Sequence, residues 1–129
     1  MSKRWYQENK RDPWRRDAKA KGYRARSAYK LKQIQEKFGI IRRGDAVLDI
    51  GCHPGGWTQV AIEEAGEGGL VVGVDLLATS PIEGAIVMVG DITEESTIEE
   101  ISNHLGDRKL NAVISDISPR LTGRYDTDQ

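Results

Sequence analysis

The pattern of apolar positions changes near residue 22. Residues 1–22 show no clean periodicity, which predicts an arm with at most one helical turn. Beyond them, apolar side chains recur at helical spacing until a glycine interrupts the series, at Ala28, Leu31, Ile34, Phe38 and Gly39. This spacing predicts an amphipathic helix that starts at Ser27, whose hydroxyl is a candidate N-cap.

Four short apolar runs follow, and their β-branched composition predicts buried strands at residues 46–50, 70–75, 85–89 and 110–115. One helix is expected between the first two strands, at residues 57–65. Another is expected between the last two, capped by Thr93 and with an apolar face of Ile98, Ile101 and Leu105. Strands that alternate with helices form βαβ units, so the pattern predicts an α/β, Rossmann-like parallel sheet with helices on both faces.

An acidic residue stands at the end of each predicted strand: Asp49, Asp75, Asp91 and Asp116. The strand phase places all four on one side, and ligands of such sheets bind outside the carboxyl ends of the strands. Asp75 follows Gly51 by 24 positions, close to the offset of about 20 at which an acid reaches ribose hydroxyls. These features suit adenosine, with Asp91 as a candidate acceptor for an exocyclic amine.

The loop after the first strand is rich in glycine and reads GCHPGG, not G-x-G-x-x-G. The missing fingerprint and the missing N–H of Pro54 argue against a bound pyrophosphate. Glycines that only turn the chain are the structural alternative. Cys52 and His53 have no partners at metal-ligand spacing, so no metal is expected.

Charge divides the chain more sharply than its net value of −1 suggests. Residues 1–43 carry 15 Lys/Arg and 4 Asp/Glu, a net charge of +11, whereas residues 44–129 carry 4 and 16, a net charge of −12. A basic segment on an acidic body favours a polyanionic partner, RNA or DNA first, because Lys and Arg neutralise phosphates. Interspersed aromatic residues could stack on unpaired bases: Trp5, Tyr6, Trp14, Tyr23 and Tyr29. A solvated tail is the alternative for the first 20 residues.

Two function classes receive no support from the composition. No apolar run approaches the roughly 20 residues of a membrane span, and the N-terminus lacks the apolar region of a secretory signal. The single cysteine, Cys52, cannot form an internal disulfide. A reducing, cytoplasmic setting is therefore expected.

The motifs LDIGCHPGGWTQV, VGVDLLATSPIEGAIVMVGDIT and VISDISP resemble successive motifs of FtsJ/RrmJ (RlmE) type ribosomal RNA 2′-O-methyltransferases. RSAYKLKQI resembles that family's segment before the first motif, and the likeness runs from about Arg24 to Thr122. It implies a class I S-adenosylmethionine-dependent methyltransferase fold, incomplete at its C-terminal side, over residues 23–129, with residues 1–22 as a basic arm. The basic segment from Lys3 to Arg43 would hold the RNA. The candidate cofactor-binding residues are Gly51, Gly55, Trp57, Asp75, Asp91 and Asp116. Cys52 and His53 depart from the family's small residues.

The resemblance also implies a Lys-Asp-Lys-Glu catalytic set. Lys30 matches its first lysine and Asp116 its aspartate, while the second lysine and the glutamate have no counterparts before Gln129. The expected activity is methylation of a ribose 2′-oxygen, with a uridine of large-subunit ribosomal RNA as the target, and this chain alone is expected to transfer methyl groups slowly or not at all. Each residue also has a purely structural interpretation. Lys30 could be an exposed lysine on the polar face of the helix, and Asp116 could cap the end of its strand.

Two other functions remain open at this point. One is a cofactor- and RNA-binding remnant without transferase activity, and the other is a nicotinamide-dependent oxidoreductase on the same fold. A partial domain would also leave Ala112, Val113 and Ile114 on an exposed sheet edge.

Overall fold

The computed structural model describes residues 22–116. Three helices and four strands alternate along these residues: α1 (Ala28–Phe38), β1 (Ala46–Ile50), α2 (Gly56–Ala65), β2 (Leu70–Asp75), β3 (Ile86–Val89), α3 (Glu95–Leu105) and β4 (Ala112–Ser115). The predicted basic arm, with Trp5, Tyr6 and Trp14, lies outside the described residues, as does the segment after Asp116.

The four strands form one parallel sheet in the order β3-β2-β1-β4. Asp49 of β1 is in register with Gly73 of β2 and with Ile114 of β4. Asp75 of β2 is in register with Val89 of β3. The predicted parallel sheet is confirmed, and its register aligns the carboxyl ends of the strands along one edge.

Helices cover both faces of the sheet, as predicted. On one face α1 and α2 enclose a core that includes Leu31, Val47, Val60 and Val71. On the other face α3 contributes Ile101 to a smaller core with Leu48, Val72 and Val74. Alternate residues of β1 and β2 therefore enter different cores, because successive side chains of a strand point to opposite faces.

One of the two predicted N-caps is confirmed in position and the other is wrong. Ser27 is the N-cap residue of α1, as predicted, but its side chain makes no cap hydrogen bond; its carbonyl accepts the N–H of Lys30 at 3.0 Å. The helix α3 is capped at Glu94, also without a side-chain hydrogen bond. Thr93 lies one residue earlier and donates its hydroxyl to Asp91, so its side chain serves the loop that follows β3.

Two predicted core positions are exposed. Phe38 is 66% exposed at the last turn of α1, and Ile98 is 48% exposed on α3. Thr97 takes the buried place expected of Ile98, and a methyl group on Gly90 would lie 2.9 Å from its Oγ1. The other two predicted residues of this face, Ile101 and Leu105, do pack into the smaller core.

Among residues 22–116, β4 is an outer strand of the sheet, as expected for residues 112–114. Ile114 is nevertheless buried beneath the helices of the larger core, at 4% exposure. Val113 faces the other side and is 55% exposed. The described part of the chain thus leaves one face of this edge strand largely uncovered.

Candidate cofactor and substrate site

Three of the predicted acidic residues gather where the parallel strands end. Asp49 lies inside β1, Asp75 ends β2, and Asp116 directly follows β4. Their positions in the register give them the same strand phase, and the charges of Asp116 and Asp75 both act on Asp49. The expected concentration of negative charge at this edge is therefore present.

Asp49 is the most buried of these acids, with 1% of its surface exposed. Its Oδ2 accepts the hydroxyl of Thr58 at 2.7 Å, while its buried Oδ1 has no hydrogen-bond partner. Burial raises the pKa of Asp49 to about 6, and the charges of Asp116 and Asp75 add to this rise against the opposing effect of Thr58. Above pH 6 the edge thus carries a charged carboxylate with an unsatisfied oxygen.

The glycine-rich loop is held against β2 at its start. The N–H groups of Gly51 and Cys52 both donate to the carbonyl of Val74, at 2.8 and 3.1 Å. Gly51 has a φ of +75°, which favours glycine, and a methyl group there would meet no atom within 4 Å. The backbone at Gly51 therefore borders open space that a ligand can approach.

Asp75 is oriented by two backbone groups. Its Oδ2 accepts the N–H of His53 at 2.9 Å, and its Oδ1 accepts the N–H of Leu77 at 2.8 Å. Each carboxylate oxygen has a further lone pair, so both can still accept a ligand hydroxyl. Leu76 and Leu77 follow it and are 70% and 61% exposed, which places apolar surface beside the carboxylate.

Asp91 has a different local partner. Its Oδ1 accepts both the N–H and the hydroxyl of Thr93, at 2.9 and 2.6 Å. These two hydrogen bonds hold the pKa of Asp91 below its ordinary value. They fix the carboxylate and leave its Oδ2 available to a ligand amine.

Gly55 and Trp57 contact other parts of the chain. A methyl group on Gly55 would lie 2.6 Å from Cδ1 of Ile82 and 3.1 Å from Cδ of Arg24, so the missing side chain makes room for protein atoms. The indole of Trp57 is buried, and its N–H donates to the carbonyl of Ser27 at 2.8 Å. Their predicted cofactor contacts, which stay predictions, would use backbone groups or the ring rather than the indole N–H.

Lys30 and Asp116 meet across the gap between α1 and β4. The Lys30 Nζ lies 3.7 Å from Oδ1 of Asp116, and the two side chains are 64% and 31% exposed. Both border an open cleft of about 470 Å³, whose lining is Arg26, Ser27, Tyr29, Lys30, Gln33 and Asp116. The cleft adjoins the acidic edge from the α1 side.

Tyr23 does not lie where base stacking requires it. Its ring is buried, at 8% exposure, and packs edge-on against Tyr29 with the ring centres 5.7 Å apart. Its hydroxyl lies 2.8 and 2.9 Å from the two carboxylate oxygens of Glu63 and accepts a hydrogen bond from Lys32 at 3.0 Å. The predicted stacking role of Tyr23 is wrong, because the ring anchors the start of the described chain on α2.

Three residues around the site were not predicted from the sequence: Arg24, Thr58 and Gln59. Thr58 partners Asp49, and Gln59 bonds the backbone of Arg24 at 2.8 Å. Arg24 itself bonds carbonyl groups of the loops after β1 and β2. The sequence offered one signal: Thr58 falls on the side of α2 that is predicted to be buried. The contacts of Arg24 could not be predicted, because backbone carbonyls are present at every residue, whatever its type.

Within residues 22–116, no group of three or more His, Cys, Asp or Glu side chains has an arrangement that could hold a metal ion. None of the helices in this range has the length and apolar character needed to cross a membrane.

Comparisons with known proteins identify the family of the chain. The model of the FtsJ-like methyltransferase family matches residues 23–129. A protein named ribosomal RNA large subunit methyltransferase E from Methanobrevibacter smithii is 46% identical over 131 residues, covering 100% of this chain and 62% of that protein. Its namesake from Methanothrix thermoacetophila is 54% identical over 120 residues, covering 93% of this chain and 46% of that protein.

A solved structure supports the fold. The crystal structure of a protein assigned as a ribosomal RNA methyltransferase from Plasmodium falciparum superposes with a TM-score of 0.68 at 29% identity, covering 74% of this chain and 57% of that chain. The chain thus spans 62% or less of the length of each relative described here. Family model, relatives and architecture agree, and the chain belongs to the FtsJ-like methyltransferase family.

Proposed function

We propose that the chain takes part in S-adenosylmethionine-dependent methylation of a ribose 2′-oxygen in RNA, with a uridine of large-subunit ribosomal RNA as the target. The observation that carries the proposal is the Lys30–Asp116 ion pair, which borders a cleft beside the acidic edge of an FtsJ-like fold. The names of the relatives support ribosomal RNA as the substrate class.

The residues at the edge fit this cofactor. Gly51 borders open space, Asp75 has lone pairs for two ribose hydroxyls, and Asp91 offers one oxygen to an adenine amine. The orphaned Oδ1 of buried Asp49 adds negative charge that suits a cationic ligand. Asp116 completes the acidic set, and S-adenosylmethionine supplies a methyl group activated by its sulfonium.

The chain's own part in the reaction is to prepare a weak nucleophile. A ribose hydroxyl attacks poorly until it is aligned and relieved of its proton. Lys30 has three N–H donors that can orient the hydroxyl oxygen, and its ion pair with Asp116 at 3.7 Å draws the ammonium group toward the ends of the strands. By the family resemblance, the proton acceptor is a second lysine that has no counterpart among the 129 residues.

The RNA would enter along α1. Arg26 and Lys30 place positive charge on the cleft, and Gln33 adds an amide that can both donate and accept hydrogen bonds. Cationic groups of this kind position phosphates without reading sequence. The basic arm of residues 1–22 carries further Lys and Arg, so affinity for RNA is expected to fall steeply with salt.

Single-turnover methyl transfer to ribosomal RNA transcripts by a full-length version of the protein, which includes the second lysine, tests the proposal, with Lys30→Ala as the variant. Loss of a group that acts on the reacting hydroxyl is expected to slow transfer about 100-fold while leaving cofactor affinity within about twofold. Lys37→Ala, on the exposed last turn of the same helix, is the matched control and should match the wild-type chain.

The position of the methyl group is checked by alkaline hydrolysis, which cannot cleave the RNA after a 2′-O-methylated residue. Methyl transfer to a base, or equal loss of transfer in both variants, would contradict the proposal.

A further inference from the structure

We infer that Arg24 is a positioning residue that clamps together the two loops framing the cofactor site. The inference rests on the proposed cofactor function. Loop A is residues 51–55, between β1 and α2, and loop B is residues 76–85, between β2 and β3. Arg24 lies outside both loops, four residues before α1.

The guanidinium group of Arg24 reaches carbonyls of both loops. Its Nη1 donates to Pro54 of loop A at 3.2 Å and to Ser80 of loop B at 2.8 Å. Its Nη2 donates to Pro81 of loop B at 2.6 Å. One planar group thus joins Pro54 of loop A to Ser80 and Pro81 of loop B, which lie 26 and 27 residues further along the sequence.

Apart from the packing of Ile82 against Gly55, the other described contacts between the loops are longer polar ones. The hydroxyl of Thr79 lies 3.4 Å from Nδ1 of His53 and 3.8 Å from Sγ of Cys52. The distance from Thr79 to His53 is longer than that of a good hydrogen bond between oxygen and nitrogen. The distance from Thr79 to Cys52 is longer still, although sulfur forms hydrogen bonds over longer distances than oxygen or nitrogen. The charge-assisted bonds of Arg24 are therefore the main described connection between the outer parts of loops A and B.

Arg24 is itself held firmly. Its backbone N–H donates to Oε1 of Gln59 at 2.8 Å, and Nε2 of Gln59 donates to the carbonyl of Gly22 at 2.8 Å. Its aliphatic stem crosses Gly55, where a methyl group would lie 3.1 Å from Cδ. The stem is thus fixed by α2, and the guanidinium is fixed by the loops.

An arginine suits these acceptors better than a lysine, because it can donate hydrogen bonds to several carbonyl groups at once. The described acceptors are all carbonyl oxygens, and the guanidinium presents five donors in a fixed planar fork, whereas lysine concentrates its donors at one atom. Loop A supplies the N–H of His53 to Asp75, and loop B supplies the N–H of Leu77. Holding the two loops together therefore fixes the carboxylate proposed to bind the ribose.

The first test measures the loops without any ligand. In the full chain, Arg24→Ala is expected to speed hydrogen–deuterium exchange at the amides of both loops, with His53 and Leu77 as reporters. Arg42→Ala removes the same charge from an exposed residue in the turn before β1 and serves as the control. Unchanged exchange in Arg24→Ala would overturn the inference, whether or not the cofactor function is correct.

The second test measures affinity for S-adenosylmethionine by calorimetry. Arg24→Ala should bind at least about tenfold more weakly, since it loses charge-assisted hydrogen bonds that hold the site, and Arg24→Lys should fall between it and the wild type. Arg42→Ala should remain within about twofold of the wild type. Guanidinium ion at a non-denaturing concentration should restore part of the affinity of Arg24→Ala and of no other variant.

The outcomes separate the two ideas. A folded wild-type chain that binds no cofactor would count against the proposed function, while the exchange experiment still decides the clamp. A wild-type chain that binds, with equal affinity in Arg24→Ala, would overturn the clamp alone. A loss of affinity that follows the loss in melting temperature and that guanidinium does not rescue would show a general structural role and would also overturn it.

Discussion

Asp49 and Asp75 belong to the same sheet edge but have different surroundings. Two backbone N–H groups hold Asp75, whereas Asp49 is buried with one oxygen bonded to Thr58 and the other unpartnered. A buried, unsatisfied carboxylate destabilises a folded protein unless a ligand or a proton compensates it. We therefore expect Asp49 to lower the free energy of unfolding of the ligand-free chain, because functional sites often reduce stability.

The pH dependence of stability tests the state of Asp49. Its folded pKa of about 6 lies above the ordinary value of 3.8, so the folded chain binds this proton more tightly than the unfolded chain. The free energy of unfolding contributed by this group should be highest below pH 4 and fall as the pH rises to 6, by at most about 3 kcal/mol. In Asp49→Asn, which does not ionise, this decrease should be absent in urea unfolding at several pH values.

Other carboxylates titrate in the same range, so the comparison needs a matched variant. Asp107→Asn removes an exposed acid after α3 and should keep the wild-type pH dependence. Identical slopes for Asp49→Asn and the wild-type chain would contradict the assigned state of Asp49.

At the scale of elements, the start of α2 is the most tightly packed part of the site. Gly55 has a φ of +122° and lies against Ile82 and Arg24, so it satisfies a backbone requirement and a space requirement at once. Gly39, after α1, has a φ of +57° but open space around it. Both glycines have a positive φ, but only Gly55 is closely packed, so comparing substitutions at the two positions separates the cost of backbone strain from the cost of lost space.

Gly55→Ala is expected to destabilise the chain by about 2 to 4 kcal/mol, because it adds backbone strain and a clash with Ile82. Gly39→Ala, in the left-handed helical region, should lose only about 1 kcal/mol. Urea unfolding measures both. Equal losses in the two variants would show that loop A is not packed as described.

The elements themselves were largely predictable. The runs at 46–50 and 70–75 are continuous and apolar, as strands buried on both faces must be, and the structure has the same bounds for β1 and β2. The face of α3 was predicted at Ile101 and Leu105 but not at Ile98, where Thr97 is buried instead and lies against Gly90. The spacing of Asp75 from Gly51 indicated a candidate site, yet the depth of Asp49 and the clamp at Arg24 depend on packing and on backbone acceptors that residue types do not reveal.

At the scale of the whole molecule, the basic residues within 22–116 do not form one surface. Arg26 and Lys30 border the cleft at the carboxyl ends of the strands. Arg42 and Arg43 lie in the turn before β1, where the N–H of Gly44 bonds the end of α2 and the carbonyl of Asp45 bonds the start of β2. The expectation that residues 3–43 act together on RNA is therefore too broad for the described part, since its last arginines lie at the opposite end of the sheet.

The central claim is that these four strands form an adenosine site for S-adenosylmethionine, and calorimetric titration of the full chain tests it most directly. The wild-type chain should bind one equivalent, with Asp107→Asn unchanged as the control. Asp75→Asn should bind at least about tenfold more weakly, because its amide has one acceptor oxygen and directs an NH₂ group at a backbone N–H. A folded wild-type chain that binds no cofactor, or equal binding by Asp75→Asn, would contradict the account.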